Sequence, residues 1–339
     1  MGWWLIDADT LAGGRFAVSA LAETSACLRL LDGDTAAHPG ERAWLGAHRD
    51  AYREALRREP VTAALLEAAL GVRTKWTADF LTPPHPGVGS PTFHEELDAV
   101  RRTPVERAHA DLEVSLGRPL PAGLRRPDVV ERLTGLLEWV WTHTVEPDWE
   151  RRRRVLEAEA VARAGQLSRG GWAAALDDMR PGMRWLGGGR LQINVRDYPP
   201  KDVSGAQLLF VPVTPDVGWV AWEEPGPGRY MIVYPCLGPL AGAGTARGAH
   251  GAGDAGTVPE ALERLLGAAR ASALVLLASP LSTTQLVALT GQGLGSVGRH
   301  LKVLLDARLI DRRRAGRSVL YYRTRAGNAL VEAQDARPS

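Results

Sequence analysis

At 339 residues and 45% hydrophobic content, the chain is long enough for two or three domains that each bury a core. No segment approaches the roughly 18 unbroken apolar residues of a membrane span, and Met1 to Leu11 lacks the basic start of a secretion signal, so a cytoplasmic location without membrane contact is expected. The net charge of +2 is unevenly spread: from Thr257 onward 12 Lys and Arg stand against 6 Asp and Glu, while the rest of the chain carries 29 against 33.

Trp3 to Ile6 reads as a short first strand. A helix should start at Ser19 and stop near Gly33, with Leu21, Leu28 and Leu31 buried. Further helices are expected at Glu41 to Arg57 and at Val61 to Leu70, the second primed by Pro60 and closed by Gly71. Thr82 to Pro91 is interrupted too often by proline and glycine to be anything but loop. Thr92 with Glu95, and Thr103 with Glu106, are two Ser/Thr-x-x-Glu helix starts. Pro127 to His143 reads as a strongly apolar helix, and Pro147 opens the next. The Arg151 to Arg154 run in that helix has Glu150, Glu157 and Glu159 at ion-pair spacing, which favours a solvated face over a nucleic-acid contact.

From Gly187 the pattern changes to strands at Arg190 to Val195, Gln207 to Val213, Gly218 to Trp222 and Tyr230 to Tyr234, read as an antiparallel meander with its prolines at strand ends or edges. Residues 240–256 are Gly- and Ala-rich without apolar periodicity and read as a flexible linker. All 11 tryptophans lie at or before Trp222. Trp139, Trp141, Trp185, Trp219 and Trp222 are candidates for a pocket that takes a flat or cationic ligand, weighed against core packing.

The last quarter carries the clearest pattern. Pro259 and Glu260 open a helix with Leu262, Leu265 and Leu266 inside. Ser282 stands three residues ahead of Gln285 as a capping box, Leu286 and Leu289 follow, and Gly291 turns the chain. A second helix from Leu294 to about Ala307 buries Val297, Leu301, Leu304 and Leu305 and leaves Ser296, Arg299 and Lys302 free. Arg312 to Tyr322 then reads as a β-hairpin turning at Gly316, with arginines near its tip. Two short helices, the second basic on its open face, suit a DNA major groove, and tip arginines suit phosphates.

In STTQL, RHLKVLL and GRSVLYYR, in that order, residues 257–334 resemble the ArsR-type winged-helix transcriptional regulators. The resemblance implies a winged helix-turn-helix over 257–336, double-stranded DNA as partner, and a homodimer, more readily a repressor, seamed by the helices Pro259 to Arg270 and Arg325 to Gln334. It places Thr283, Thr284, Gln285, Ser296, Arg299, His300, Lys302, Arg312, Arg313, Arg314, Arg317 and Tyr321 at the DNA. The metal-sensing members carry cysteines on the first of the two helices, where this chain has Thr283, Thr284 and Gln285, so metal sensing by that route is excluded. Gly295 and Gly298 depart from the alanine, serine or threonine usual in the family's second helix. RFAVSALAE, LLFVPVTP and VYPCLGP resemble segments of long actinobacterial regulators with an uncharacterised helical and β-meander domain ahead of such a unit; the resemblance brings no known ligand with it, and a small-molecule or protein effector is the expectation for residues 1–239.

The fold expected is α+β: a helical stretch over 1–186, a β-meander over 187–239, a linker, and the winged helix. No enzyme is indicated. The eight histidines form no H-E-x-x-H, and neither a G-x-S-x-G elbow nor a P-loop is present. Gly291, Gly293 and Gly295 follow no strand and so make no dinucleotide loop. Cys27 and Cys236 form no C-x-x-C, and neither metal nor cofactor is expected. The alternatives are a protein-interaction scaffold and an enzyme fused to a DNA-binding unit.

Overall fold

The computed structural model describes residues 2–36, 39–71, 74–86, 89–176, 179–194, 199–223, 228–236, 259–277, 280–290, 292–315 and 318–335. The expected linker 240–256, and the hairpin residues Gly316 and Arg317, lie outside them. β1 (Trp3–Leu5), α1 (Ala8–Ala12) and β2 (Arg15–Phe16) precede the helices α2 (Ala20–Gly33), α3 (Pro39–Arg58), α4 (Pro60–Leu70), α5 (Phe93–Arg101), α6 (Val105–Leu116) and α7 (Val129–Val140). A π-helical turn, Trp141–Val145, and a 3-10 turn, Glu146–Asp148, lead into α8 (Trp149–Leu176), which is broken at Gly171 by φ 66°. Strands β3 (Arg184–Gly187), β4 (Arg190–Gln192), β5 (Lys201–Asp202), β6 (Gln207–Val213), β7 (Trp219–Trp222) and β8 (Arg229–Pro235) follow. The C-terminal part comprises α9 (Glu260–Leu266), α10 (Ala268–Leu276), β9 (Leu281–Ser282), α11 (Thr283–Thr290), α12 (Leu294–Asp306), β10 (Ile310–Ala315), β11 (Ser318–Arg323) and α13 (Arg325–Asp335).

Most local signals place these elements correctly. The Ser19 side chain accepts from the Ala22 N–H at 2.9 Å, and Asp34 ends α2 in the left-handed region. Thr92 and Glu95 cap α5 reciprocally. Gly71 closes α4 at φ 53°, where an added Cβ would stand 2.0 Å from the Trp76 carbonyl. Thr103 does not cap α6: its N–H donates to the Val100 carbonyl at 3.0 Å, finishing the turn behind it, and Pro104 takes the cap position.

α2 is buried along most of its length because two cores share it. Leu21, Leu28 and Leu31 join Trp44, Leu65, Leu133 and Leu137 in a helical core, while Ala22 and Ala26 face Leu209, Val211 and Val233 of the sheet. Small side chains on that face let the sheet approach closely.

The strands do not form an antiparallel meander. One sheet has the order β2-β6-β8-β7, with β2, β6 and β8 parallel and only β7 antiparallel; another has the order β3-β4-β1-β5. β1 and β2 thus leave the helical stretch to complete the sheets. QLLFVPV and RYMIVYP are unbroken apolar runs, buried from the second residue on, and such strands take interior, parallel positions; the alternating WVAW stays at the edge. Pro212 is tolerated in β6 because it faces the side where the Phe210 carbonyl meets Ala17, beyond the last residue of β2.

The arginine run in α8 is not wholly solvated either. Arg151 and Arg153 pair with Asp148, Glu150 and Glu157, but Arg152 is 1% exposed. Its Nη1 donates to Glu23 Oε1 at 2.6 Å and to Thr214 Oγ1 at 2.9 Å, and its guanidinium lies over the Trp44 ring. Glu23, fully buried in α2, also accepts from the Thr214 N–H at 2.7 Å and from the Thr214 hydroxyl. Breaking a buried ion pair by removing one partner costs roughly 3–5 kcal/mol. Arg152→Ala is therefore expected to lower unfolding free energy by that amount in urea denaturation. Replacing both members by Glu23→Leu and Arg152→Met should cost much less, and a single-variant loss under about 1 kcal/mol would contradict the assignment.

Candidate nucleic-acid interface

α10, α11 and α12 close on a core of Leu262, Leu274, Leu286, Val297, Leu301, Leu304 and Ile310. The sheet β10-β11-β9 lies beside it, the hairpin in register from Ile310 opposite Arg323 to Ala315 opposite Ser318. Arg323 ties the hairpin to the end of α10 by donating to the Leu274 carbonyl at 2.6 Å and the Val275 carbonyl at 2.5 Å, acceptors that a helix C-terminus leaves over.

Three faces of α12 have distinct environments. Val297, Leu301 and Leu304 are buried. Ser296 and His300 are half-buried and paired, Ser296 Oγ lying 3.2 Å from His300 Nε2 and 3.5 Å from Gln292 Oε1. Leu294, Gly295, Gly298, Arg299, Lys302, Val303 and Asp306 form one exposed stripe. Arg299 bends back along the helix, its guanidinium 4.0 Å from where a Cβ on Gly295 would stand.

On the hairpin, Arg312 is exposed and Arg313 half-exposed, while Asp311 is engaged by the Arg312 N–H at 2.7 Å. Tyr321 is half-buried against the core. Among the described residues, Arg299, Lys302, Arg312 and Arg313 have no ion-pair partner, in contrast to Arg151, Arg152 and Arg153 of α8. The side chains of Thr284 and Arg314, and all of Arg317, lie outside the described residues.

The capping box on α11 is present: the Ser282 N–H donates to Gln285 Oε1 at 2.8 Å, and the Gln285 N–H to Ser282 Oγ at 3.2 Å. Thr283 is half-buried. Gln285 does not face outward. It is 1% exposed, because α11 packs on α8 and the Gln285 amide donates to Glu159 Oε2 at 3.3 Å. Glu159 is itself buried and bound by Arg163 at 2.9 Å. No local signal marks Glu159, since its partner is 126 residues away.

The five tryptophans do not converge. Trp141 stacks on Phe93 at 4.5 Å inside the helical core, and Trp219 is buried beneath Arg29. Trp185 packs on the sheet core. Trp139 borders a cleft of about 590 Å³, and Trp222 a separate one of about 760 Å³. The second cleft also exposes an edge of Glu96, whose carboxyl burial pushes up to about 7 although Ser19 Oγ and the Leu21 N–H bind it. Among the described residues no group of His, Cys, Asp and Glu is arranged to hold a metal ion, and no helix is long and apolar enough to cross a membrane. Cys27 and Cys236 are buried, and burial raises both thiol pKa values. Compared with known proteins, the chain matches no family model, no curated protein and no solved structure.

Glu159→Ala should strand the Gln285 amide and loosen α11 from α8, at a cost of about 1–3 kcal/mol. Glu159→Gln, which keeps one acceptor oxygen that can take the Gln285 amide while giving up the one for Arg163, should cost less. Hydrogen exchange at the α11 amides would report the difference; equal exchange in the two variants would show that the Glu159 side chain does not hold the contact.

Proposed function

We propose that residues 259–335 act as a winged helix-turn-helix that binds double-stranded DNA, with α11 and α12 as its helix pair and β10-β11 as its wing, and that the chain is a transcriptional regulator, working as a homodimeric repressor. The observation that carries this reading is the set of cations Arg299, Lys302, Arg312 and Arg313 along α12 and β10, unpaired among the described residues, on a part of the chain with a two-to-one excess of basic residues. Cations left without protein partners keep their charge available to phosphates, and those on α12 lie where a helix enters the major groove. Ser296, held by Gln292 and His300, is a positioning group in this scheme, so Arg299 is the polar base reader. Leu265, expected on the inner face of α9, is instead 64% exposed; in this reading it belongs to the seam with the second copy. Residues 2–236 are the regulatory part, joined to the DNA-binding unit by the contact of α8 with α11.

Duplexes selected from a random pool by the full chain should bind less tightly as salt rises, with a slope set by the number of phosphates contacted. Arg299→Ala should lose about 1–3 kcal/mol on the selected site and relax base preference, whereas Arg312→Ala should weaken all duplexes alike and reduce the salt slope by about 1. Salt-independent binding, or none, would refute the reading, and a monomer in light scattering both with and without duplex would refute the dimer.

A further inference from the structure

Two features of α12 are not explained by folding. Gly295 and Gly298 have ordinary helical φ and are not in the left-handed region. No backbone or core atom crowds either position: an added Cβ at Gly298 would meet nothing within 4 Å, and at Gly295 only the flexible Arg299 tip. Each glycine costs a helix about 1 kcal/mol relative to alanine, so the fold by itself favours a larger residue at both sites. The second feature is Leu294. It is 61% exposed at the leading end of the helix, one turn before Gly298. Single exposed leucines are ordinary on protein surfaces. This one, however, heads the row Leu294, Gly298, Lys302, which runs beside the row Gly295, Arg299 on the same open face.

A face that ends in an apolar side chain, is bare in the middle and is flanked by cations unpaired among the described residues is complementary to a surface that is anionic at its rims and carries a methyl group in its floor. The major groove of duplex DNA has that chemistry, phosphates along both edges and the thymine 5-methyl within. Absent side chains at 295 and 298 let the helix backbone sit deep, which brings Leu294 and Arg299 to base level together.

We propose that Leu294 is a base-reading residue that packs on the 5-methyl group of a thymine in the bound duplex, with Gly295 and Gly298 setting the depth of α12 in the groove; this rests on the DNA-binding reading above. Leu294 then gives specificity for thymine through shape and apolar contact, while Arg299 reads its neighbour by hydrogen bonds.

Deoxyuridine differs from thymidine only by that methyl group. The test is therefore a scan of the selected duplex in which each thymidine in turn is replaced by deoxyuridine, titrated with the full-length protein. At one position per half-site the wild-type chain should lose affinity about fourfold, the worth of one buried methyl group. Leu294→Ala should bind the two duplexes equally, and Val303→Ala, which trims an exposed apolar residue farther along the same helix, should keep the discrimination. Because Leu294 is largely outside the core, unchanged thermal melting should accompany its loss of discrimination. If Leu294→Ala still distinguishes thymidine from deoxyuridine, or if no thymidine in the site is sensitive in the wild-type chain, the proposal is overturned while DNA binding stands. If the random pool yields no bound duplex at all, the DNA-binding reading falls and this proposal with it.

Discussion

The buried pair of Glu23 and Arg152 ties distant elements of the N-terminal part to one another. Taking a carboxylate and a guanidinium out of water costs several kcal/mol per ion, and the attraction between them offsets this only when the remaining lone pairs and protons are also met. Here the carboxylate is met by Arg152 Nη1, the Thr214 N–H and the Thr214 hydroxyl, whereas the guanidinium is met at Nη1 alone: among the described residues Nε, 3.8 Å from Asp148 Oδ2, and Nη2 have no hydrogen-bond partner, and the Trp44 face covers the group. α2, α8 and the residue that follows β6 must all keep their places for this to hold. Hydrophobic packing tolerates small shifts of such elements; this arrangement does not, because losing one donor leaves a charge stranded in the core.

How much of the fold shows in the sequence depends on how far apart the partners are. Ser19, Thr92 with Glu95, Gly71 and Ser282 with Gln285 act within a few residues, and each element they begin or end was legible. Strand order was not. QLLFVPV and RYMIVYP show plainly as strands, but their parallel pairing depends on β7 passing to the far side of β8, which no short spacing records. The interior position was nonetheless written in their composition, since a half-exposed meander strand alternates and these two do not.

Two arginine runs show the same limit in electrostatics. In Arg151 to Arg154 the acids at helical spacing foretell ion pairs, and Arg151 and Arg153 make them. Arg152 turns inward because its partner, Glu23, is 129 residues away. In Arg312 to Arg314 the neighbouring acid is Asp311, which accepts from the Arg312 N–H, and Arg312 and Arg313 have no ion-pair partner among the described residues. Helical spacing thus identified the compensated part of the first run and failed where the third dimension supplied a partner. The tryptophans failed for a different reason. An aromatic residue that packs a core and one that lines a cleft share the same sequence environment, and Trp141 and Trp139, two residues apart, went to different fates.

α8 carries both the Arg152 anchor and, seven residues later, Glu159, which holds Gln285 of α11. Two helical turns rise about 10.5 Å, so a rigid helix connects the charged core of the N-terminal part to the first helix of the proposed DNA-binding pair over a short span. The same contact covers part of α11, leaving α12 and the hairpin as the open cationic surface. Within the described residues that surface offers Arg299, Lys302, Arg312 and Arg313 per chain. With Arg299 on a base, the other three cations support a weak, salt-sensitive hold on a duplex rather than the nanomolar binding of a selective regulator, because affinity of this kind scales with the number of phosphates neutralised. Doubling the surface by a second copy is the simplest way to reach that range. It also makes any change that α8 transmits to α11 count twice, once in each half of the site.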